Sequence, residues 1–150
     1  MTEEVNMEIE KKYTIKELPD LSAYPFHKIE QAYINRKPTL RIRRQDDEYY
    51  FTYKGEGLMA REEYNLPLNE ESYYHLREKA DGRIITKTRY LIPYEKYTIE
   101  LDVFEGDLAP LIIAEVEFAT VDEAENFAPP AWFGPDVTSD PKYQNSNLSK

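Results

Sequence analysis

Met7–Ile15 reads MEIEKKYTI, and how this stretch is folded decides how the rest of the chain is read. In a β-strand successive side chains alternate faces. Glu8, Glu10 and Lys12 then share one face, and Met7, Ile9, Lys11 and Tyr13 share the other. The simplest explanation is an amphipathic strand with its charged face in water. That explanation weakens along the chain, because the device recurs. Glu100 and Asp102 alternate with Ile99, Leu101 and Val103, and Glu115 and Glu117 alternate with Ala114, Val116 and Phe118. Arg41 and Arg43 alternate with Leu40 and Ile42, while Lys87 with Arg89, Thr52 with Lys54, and Arg61 with Glu63 and Asn65 each share a face.

Same-sign pairs two residues apart are costly. Their side chains start about 7 Å from each other. Like charges at that distance repel by about 2 kcal/mol at an effective dielectric of 20. Opposite charges facing each pair would relieve the repulsion, and a closed barrel brings acidic and basic strands face to face across its interior. The inward set balances, with Glu8, Glu10, Glu63, Glu100, Asp102, Glu115 and Glu117 against Lys12, Arg41, Arg43, Lys54, Arg61, Lys87 and Arg89. Carboxylates suit a hard cation; guanidinium and ammonium groups suit an oxyanion. A cation and a phosphate chain held together would engage both halves, as in metal-dependent phosphoryl transfer.

Composition narrows the alternatives. The chain has 150 residues, 41% hydrophobic and 13% aromatic, as expected of one globular domain over 1–150. The net charge of −10 disfavours double-stranded nucleic acid and anionic membrane as partners. There is no cysteine, and His27 and His75 are the only histidines, so thiol chemistry and multi-histidine zinc sites drop out. Any metal would be held by oxygen. The start, MTEEVN, lacks the apolar run of a signal peptide, and no stretch is apolar enough to span a bilayer, which points to the cytoplasm. Monomer and homodimer are both compatible with this reading.

Eight strands are expected, over residues 8–15, 28–35, 39–45, 48–54, 59–66, 83–92, 97–104 and 111–118, with turns at NRKP, QDDE, GEG, PYEK and EGDLAP. Short connections make neighbours antiparallel, and the count suggests a barrel or sandwich. A helix is expected after Asn69 with Tyr73, Leu76 and Ala80 as its apolar stripe, a second after Thr120 with a capping box to Glu123, and a helical turn near 19–23. Trp132 and Phe133 read as wall packing, and the two histidines as surface or turn residues.

The ordered series ExExK (Glu8, Glu10, Lys12), RIR, TYK, KTRY, IELDVF and AEVEF resembles the triphosphate tunnel metalloenzymes, or CYTH domains, over residues 8 to about 143. Within that family it resembles a short bacterial tripolyphosphatase-like member. The resemblance implies a mainly β fold, an eight-stranded antiparallel barrel forming a tunnel with a few flanking helices. It implies phosphate binding by Lys12, Arg41, Arg43, Lys54, Arg61, Lys87 and Arg89. It implies one or two Mg²⁺ or Mn²⁺ ions on Glu8, Glu10, Glu63, Glu100, Asp102, Glu115 and Glu117. Lys12, with Glu115 or Asp102 orienting water, would carry catalysis. Asn65 departs from the family's run of acids. The implied function is metal-dependent hydrolysis of a small polyanion, first inorganic triphosphate, since no base-recognition insert is evident. Adenylyl cyclase of class IV, thiamine or nucleoside triphosphatase, RNA triphosphatase, and a non-catalytic polyphosphate-binding module are the alternatives.

Overall fold

A computed structural model describes residues 7–150, so the expectation about a leader at MTEEVN falls outside the described residues. The strands are β1 (Met7–Ile15), β2 (Phe26–Asn35), β3 (Thr39–Gln45), β4 (Glu48–Lys54), β5 (Ala60–Leu68), β6 (Ile85–Tyr94), β7 (Tyr97–Phe104), β8 (Ile112–Glu117) and β9 (Phe133–Asp136). All pair antiparallel, in the order β5-β4-β3-β2-β6-β7-β8-β1-β9. Pairing of β1 with β5 closes the first eight into a barrel. Two hairpins turn on a non-glycine residue with positive φ, Asp46 and Glu95, each opening a two-residue loop of the kind that matches strand twist.

Closure uses only part of β1. Met7, Glu8 and Ile9 pair with β5, after which the same edge is taken by β9 at Tyr13 and Ile15. This ninth strand was not expected, because Gly134 and Pro135 interrupt the pattern. Proline is tolerated on an edge strand, and here the short segment covers backbone that β5 has left bare. The helical turn anticipated at 19–23 is a single turn with Tyr24 N donating to Leu21 O, preceded by Asp20 accepting from Ser22 N. An Asx turn that short satisfies its backbone locally and gives no nucleus for a helix.

Three apolar clusters hold the barrel. Outside it, Ala32 and Ile42 lie under α1 (Glu70–Arg77), which buries Tyr73 completely, with Leu76 and Ala80 packed alongside. On the opposite flank Tyr13, Leu101, Val116 and Phe118 lie under α2 (Val121–Glu125) and Phe133. The third cluster is inside. Tyr33, Ile85, Phe104 and Ile113 follow Gln31, Lys87, Asp102 and Glu115 along the inward faces and plug one end of the barrel, packed by Tyr143 and Leu148 of the C-terminal segment, which includes α3 (Asn145–Leu148). The charged interior is therefore floored by apolar side chains. Among the described residues no helix is long and apolar enough to cross a membrane.

Both expected caps are present. Asn69 Oδ1 accepts from Ser72 N at 2.7 Å, and Thr120 Oγ1 accepts from Glu123 N at 3.1 Å while Glu123 reaches back to Ala119 N at 3.3 Å. Asn69→Ala is expected to cost about 1 kcal/mol, seen as a fall of about 2–4 °C in Tm; an unchanged melt would show that packing of Tyr73 alone sets the helix start.

Candidate active site

The alternation of β1 puts Glu8, Glu10 and Lys12 indoors: all three are buried while Met7 is exposed. The charged doublets of the other strands face inward too, buried or half-buried except for the exposed Glu117, and together they surround a cavity of ≈ 210 Å³. Its wall is made by Glu8, Glu10, Arg41, Arg43, Lys54, Glu63, Arg89, Glu100, Glu115 and Glu117, joined by Gln45, Asn65 and Asn145. Lys12, Lys87 and Asp102 are buried deeper, off the cavity wall, and Arg61 stands at the rim. Every lining residue among those described is polar.

The deep layer is an ion network. Asp102 is fully buried; Lys87 Nζ donates to its Oδ2 at 2.6 Å, and Arg89 donates to both its oxygens at 2.7 and 2.9 Å. Arg89 also holds Glu100 at 2.9 Å and Glu115 at 3.2 Å, and Lys12 lies 3.7 Å from Glu115. Burial opposes all these charges, but the neighbours win for most. Arg89 is held well above its ordinary value by Asp102 and Glu100, and Glu115 well below the carboxylate range by Lys12 and Arg89. Lys87 is the exception: burial brings it down to about 8 despite Asp102. Lys87 Nζ also sits 5.3 Å above the Phe104 ring of the apolar plug.

The rim layer is built the same way. Lys54 binds Glu8 at 3.0 Å and Glu63 at 3.2 Å, and Arg61 approaches Glu8 at 3.6 Å. Asn65, which stands where an acid was anticipated, accepts from Thr52 Oγ1 and donates to Glu63. Glu63 is pulled down to about 2 against its burial, by its hydrogen bond with Glu8 and the charge of Lys54.

Four groups are left out of these networks. Arg41 and Arg43 have no carboxylate partner among the described residues; Arg41 reaches only Thr52 Oγ1 at 3.4 Å, and Arg43 only Gln31 Oε1 at 3.1 and 2.7 Å. Burial, then Arg41 and Arg89, lower Arg43 to about 9, still charged at neutral pH. On the other side, Glu10 and Glu117 lie directly opposite each other on β1 and β8 and form no ion pair among the described residues. Burial and neighbouring carboxylates raise both to about 7, Glu115 and Glu8 acting on Glu10, and Glu8 and Glu100 on Glu117. Two unneutralised carboxylates with oxygen-only donors fit a hard divalent cation. Among the described residues no three acids are yet drawn together into a metal-binding group, because Glu8, Glu63 and Glu100 are turned toward lysine or arginine.

Sequence reasoning placed all the charged members of the wall and missed Gln45 and Asn145 on it and Gln31 behind it. Gln31 and Gln45 could have been found, since they stand on the inward faces of strands whose charged neighbours had been assigned. Asn145 comes from the C-terminal segment, and only the fold brings it in. Asp102, assigned from sequence to metal binding or to water activation, has both oxygens engaged and no exposure, a geometry that anchors Lys87 and Arg89.

A closed antiparallel barrel with acids and bases facing across its interior defines the class, and the sequence comparisons agree with it. The CYTH domain family matches residues 6–134, and the chain belongs to that family. It is 41% identical over 150 residues to the inorganic triphosphatase of Nitrosomonas europaea, covering 95% of this chain and 96% of that one. It is 36% identical to the inorganic triphosphatase of Acetivibrio thermocellus, covering 95% and 93%. A crystal structure of an inorganic triphosphatase superposes with a TM-score of 0.70 at 36% identity, over 95% of this chain and 93% of that one. A Hippeastrum protein at 14% identity shares the fold, with a TM-score of 0.58 over 79% and 82% of the two chains.

Proposed function

We propose that this protein hydrolyses inorganic triphosphate to diphosphate and phosphate with Mg²⁺ or Mn²⁺. The observation that carries the reading is the pair of unmet charges in one cavity: Arg41 and Arg43 without an anion, Glu10 and Glu117 without a cation. A metal–polyphosphate complex supplies both. The relatives named as inorganic triphosphatases support the same substrate.

In this reading Arg41 and Arg43 hold the polyphosphate by forked contacts. Lys54 and Arg61 meet its outer end, and Lys12, Lys87 and Arg89 lend positive potential from below. Glu10 and Glu117, with Glu8 and at need Glu63 or Glu100, would hold the metal, which when bound neutralises phosphate oxygens as a Lewis acid. Glu115, kept anionic by Lys12 and Arg89 and lying on the cavity wall, orients the attacking water and accepts its proton. Asp102 serves by fixing Lys87 and Arg89. Phosphoryl transfer asks little covalent chemistry of a protein, so positioned charge does most of the work.

Among the described residues no aromatic or aliphatic side chain lines the cavity to stack an adenine, which favours inorganic triphosphate over the cyclase reading. The protein acts in the cytoplasm as a monomer or homodimer; its net charge of −10 opposes double-stranded nucleic acid and anionic membrane, and the arginines and lysines of the cavity supply the local positive charge for a small polyanion. The test is a substrate screen in Mg²⁺ and in Mn²⁺. Orthophosphate released from tripolyphosphate, with little from ATP or thiamine triphosphate, is the expected result. Cyclic AMP from ATP as the main product, or binding without turnover, would replace this reading.

A further inference from the structure

Gln31 belongs to none of the charged doublets and lies just behind the cavity wall, held against Arg43, so only an oxygen that reaches past Arg41 and Arg43 can meet it. It stands on the inward face of β2, directly opposite Arg43 of β3, and is 0% exposed. Its Oε1 accepts from both Nε and Nη2 of Arg43, at 3.1 and 2.7 Å. A guanidinium only donates, so it fixes the amide's orientation: the oxygen must face Arg43 and the nitrogen must face away. Gln31 Nε2 is then a buried donor without an acceptor. A second buried orphan, Nε of Arg41, lies on the diagonal position of the adjoining strand. Unsatisfied buried donors are uncommon in folded proteins and call for a reason. Of the four buried side-chain atoms left without a hydrogen bond among the described residues, these two lie on adjoining inward faces, beside the unpartnered arginines of β3.

Resting on the proposed function, we propose that Gln31 is a substrate-binding residue of this cavity. Its Oε1 aims Arg43, and its Nε2 donates to a non-bridging oxygen at the inner end of the polyphosphate. The chain supplies no acceptor for that N–H among the described residues; a phosphate oxygen drawn in by Arg41 and Arg43 does. Seating the substrate thus satisfies a donor that folding leaves unmet, so the contact favours a bound oxyanion over the empty cavity.

Two substitutions separate the roles. Gln31→Glu keeps an acceptor for Arg43 but puts a carboxylate where the N–H stood; Gln31→Met removes both contacts at similar size. Each is expected to raise KM for tripolyphosphate about tenfold, the scale of one hydrogen bond to a charged group, with kcat within about threefold, as for lost ground-state binding. Gln31→Met is also expected to raise KM again in an Arg43→Ala background, because the N–H contact does not pass through Arg43. An unchanged KM in Gln31→Glu, or no added effect of Gln31→Met in the Arg43→Ala protein, would overturn the assignment. Thermal melts identify any variant that does not fold, and Gln31→Glu, nearly isosteric, carries the test alone if Gln31→Met fails. Wild-type protein in the same assay keeps the two readings apart: its failure to turn over tripolyphosphate removes the proposed function, whereas normal wild-type turnover with an indifferent Gln31→Glu removes only the role of Gln31.

Discussion

Asp102→Ala is expected to abolish turnover of tripolyphosphate and to lower Tm by about 6–20 °C. The second figure follows from the buried network. Lys87 and Asp102 are wholly enclosed, and Arg89 spends three of its contacts on Asp102 and Glu115. Removing the carboxylate strands Lys87 in a low-dielectric interior and leaves Arg89 with Glu100 and Glu115 alone, and breaking a buried pair from one side costs about 3–5 kcal/mol. In a protein of this size each kcal/mol moves Tm by about 2–4 °C. Turnover fails because Arg89 loses the acceptor that fixes it beside Glu115, and Lys87 loses its own counter-charge. Asp102→Asn keeps the shape and one acceptor and is expected to fall between the two proteins. Circular-dichroism melts with phosphate-release assays measure both quantities. A fully active Asp102→Ala protein would mean that the deep cations are dispensable to catalysis and that Asp102 only packs.

Glu10→Gln is expected to do the opposite to stability and the same to activity. Glu10 is buried and raised to about 7, from an ordinary 4.5, by desolvation and by Glu115 and Glu8. A carboxylate whose folded value lies above its unfolded one takes up a proton on folding. Its contribution therefore weakens stability as pH rises from about 4.5 to 7 and stays unfavourable above that. At 1.36 kcal/mol per unit the penalty at pH 8 is about 3 kcal/mol. Glutamine removes it, so the metal-free variant is expected to melt several degrees above wild type at pH 8 and to show a smaller stability gain than wild type on acidification to pH 5, the share of Glu117 remaining. Asp102 and Glu115, held low, lose their stabilising effect only at more acid pH, as it falls through their folded values, so the two windows do not overlap. Turnover is expected to drop at least about a hundredfold, the scale of losing one preorganised group that stabilises charge. A Glu10→Gln protein with wild-type activity in saturating Mg²⁺ would exclude Glu10 from the cation site; one no more stable than wild type in EDTA at pH 8 would show that Lys54 and Lys12 already balance its charge.

Much of this architecture was readable from alternation. Because the period of a strand is two, every doublet names its own face, and once β1 is turned charge-inward the register of its neighbours carries the rest. The strand limits moved by a residue or two at several ends, as in β2, which begins at Phe26, and β6, which begins at Ile85. The ninth strand was hidden by Gly134 and Pro135: edge strands need only a free partner, and that requirement is met by the fold rather than by a local pattern. The apolar plug was legible but unread. Three of the charged inward series are continued two residues on by an apolar side chain, Ile85 before Lys87, Phe104 after Asp102 and Ile113 before Glu115.

By itself the sequence determined which side chains share an inward face, since alternation is a local consequence of strand geometry. It could not determine which of the facing charges neutralise each other. Lys54 settles on Glu8 and Glu63, and Arg89 on Asp102, Glu100 and Glu115, while Arg41, Arg43, Glu10 and Glu117 are left unpaired. Those choices depend on distances across a closed barrel and on burial, which weights each charge by how much water it keeps. Tertiary structure alone therefore distinguished the residues that hold the cavity together from those free to hold a ligand.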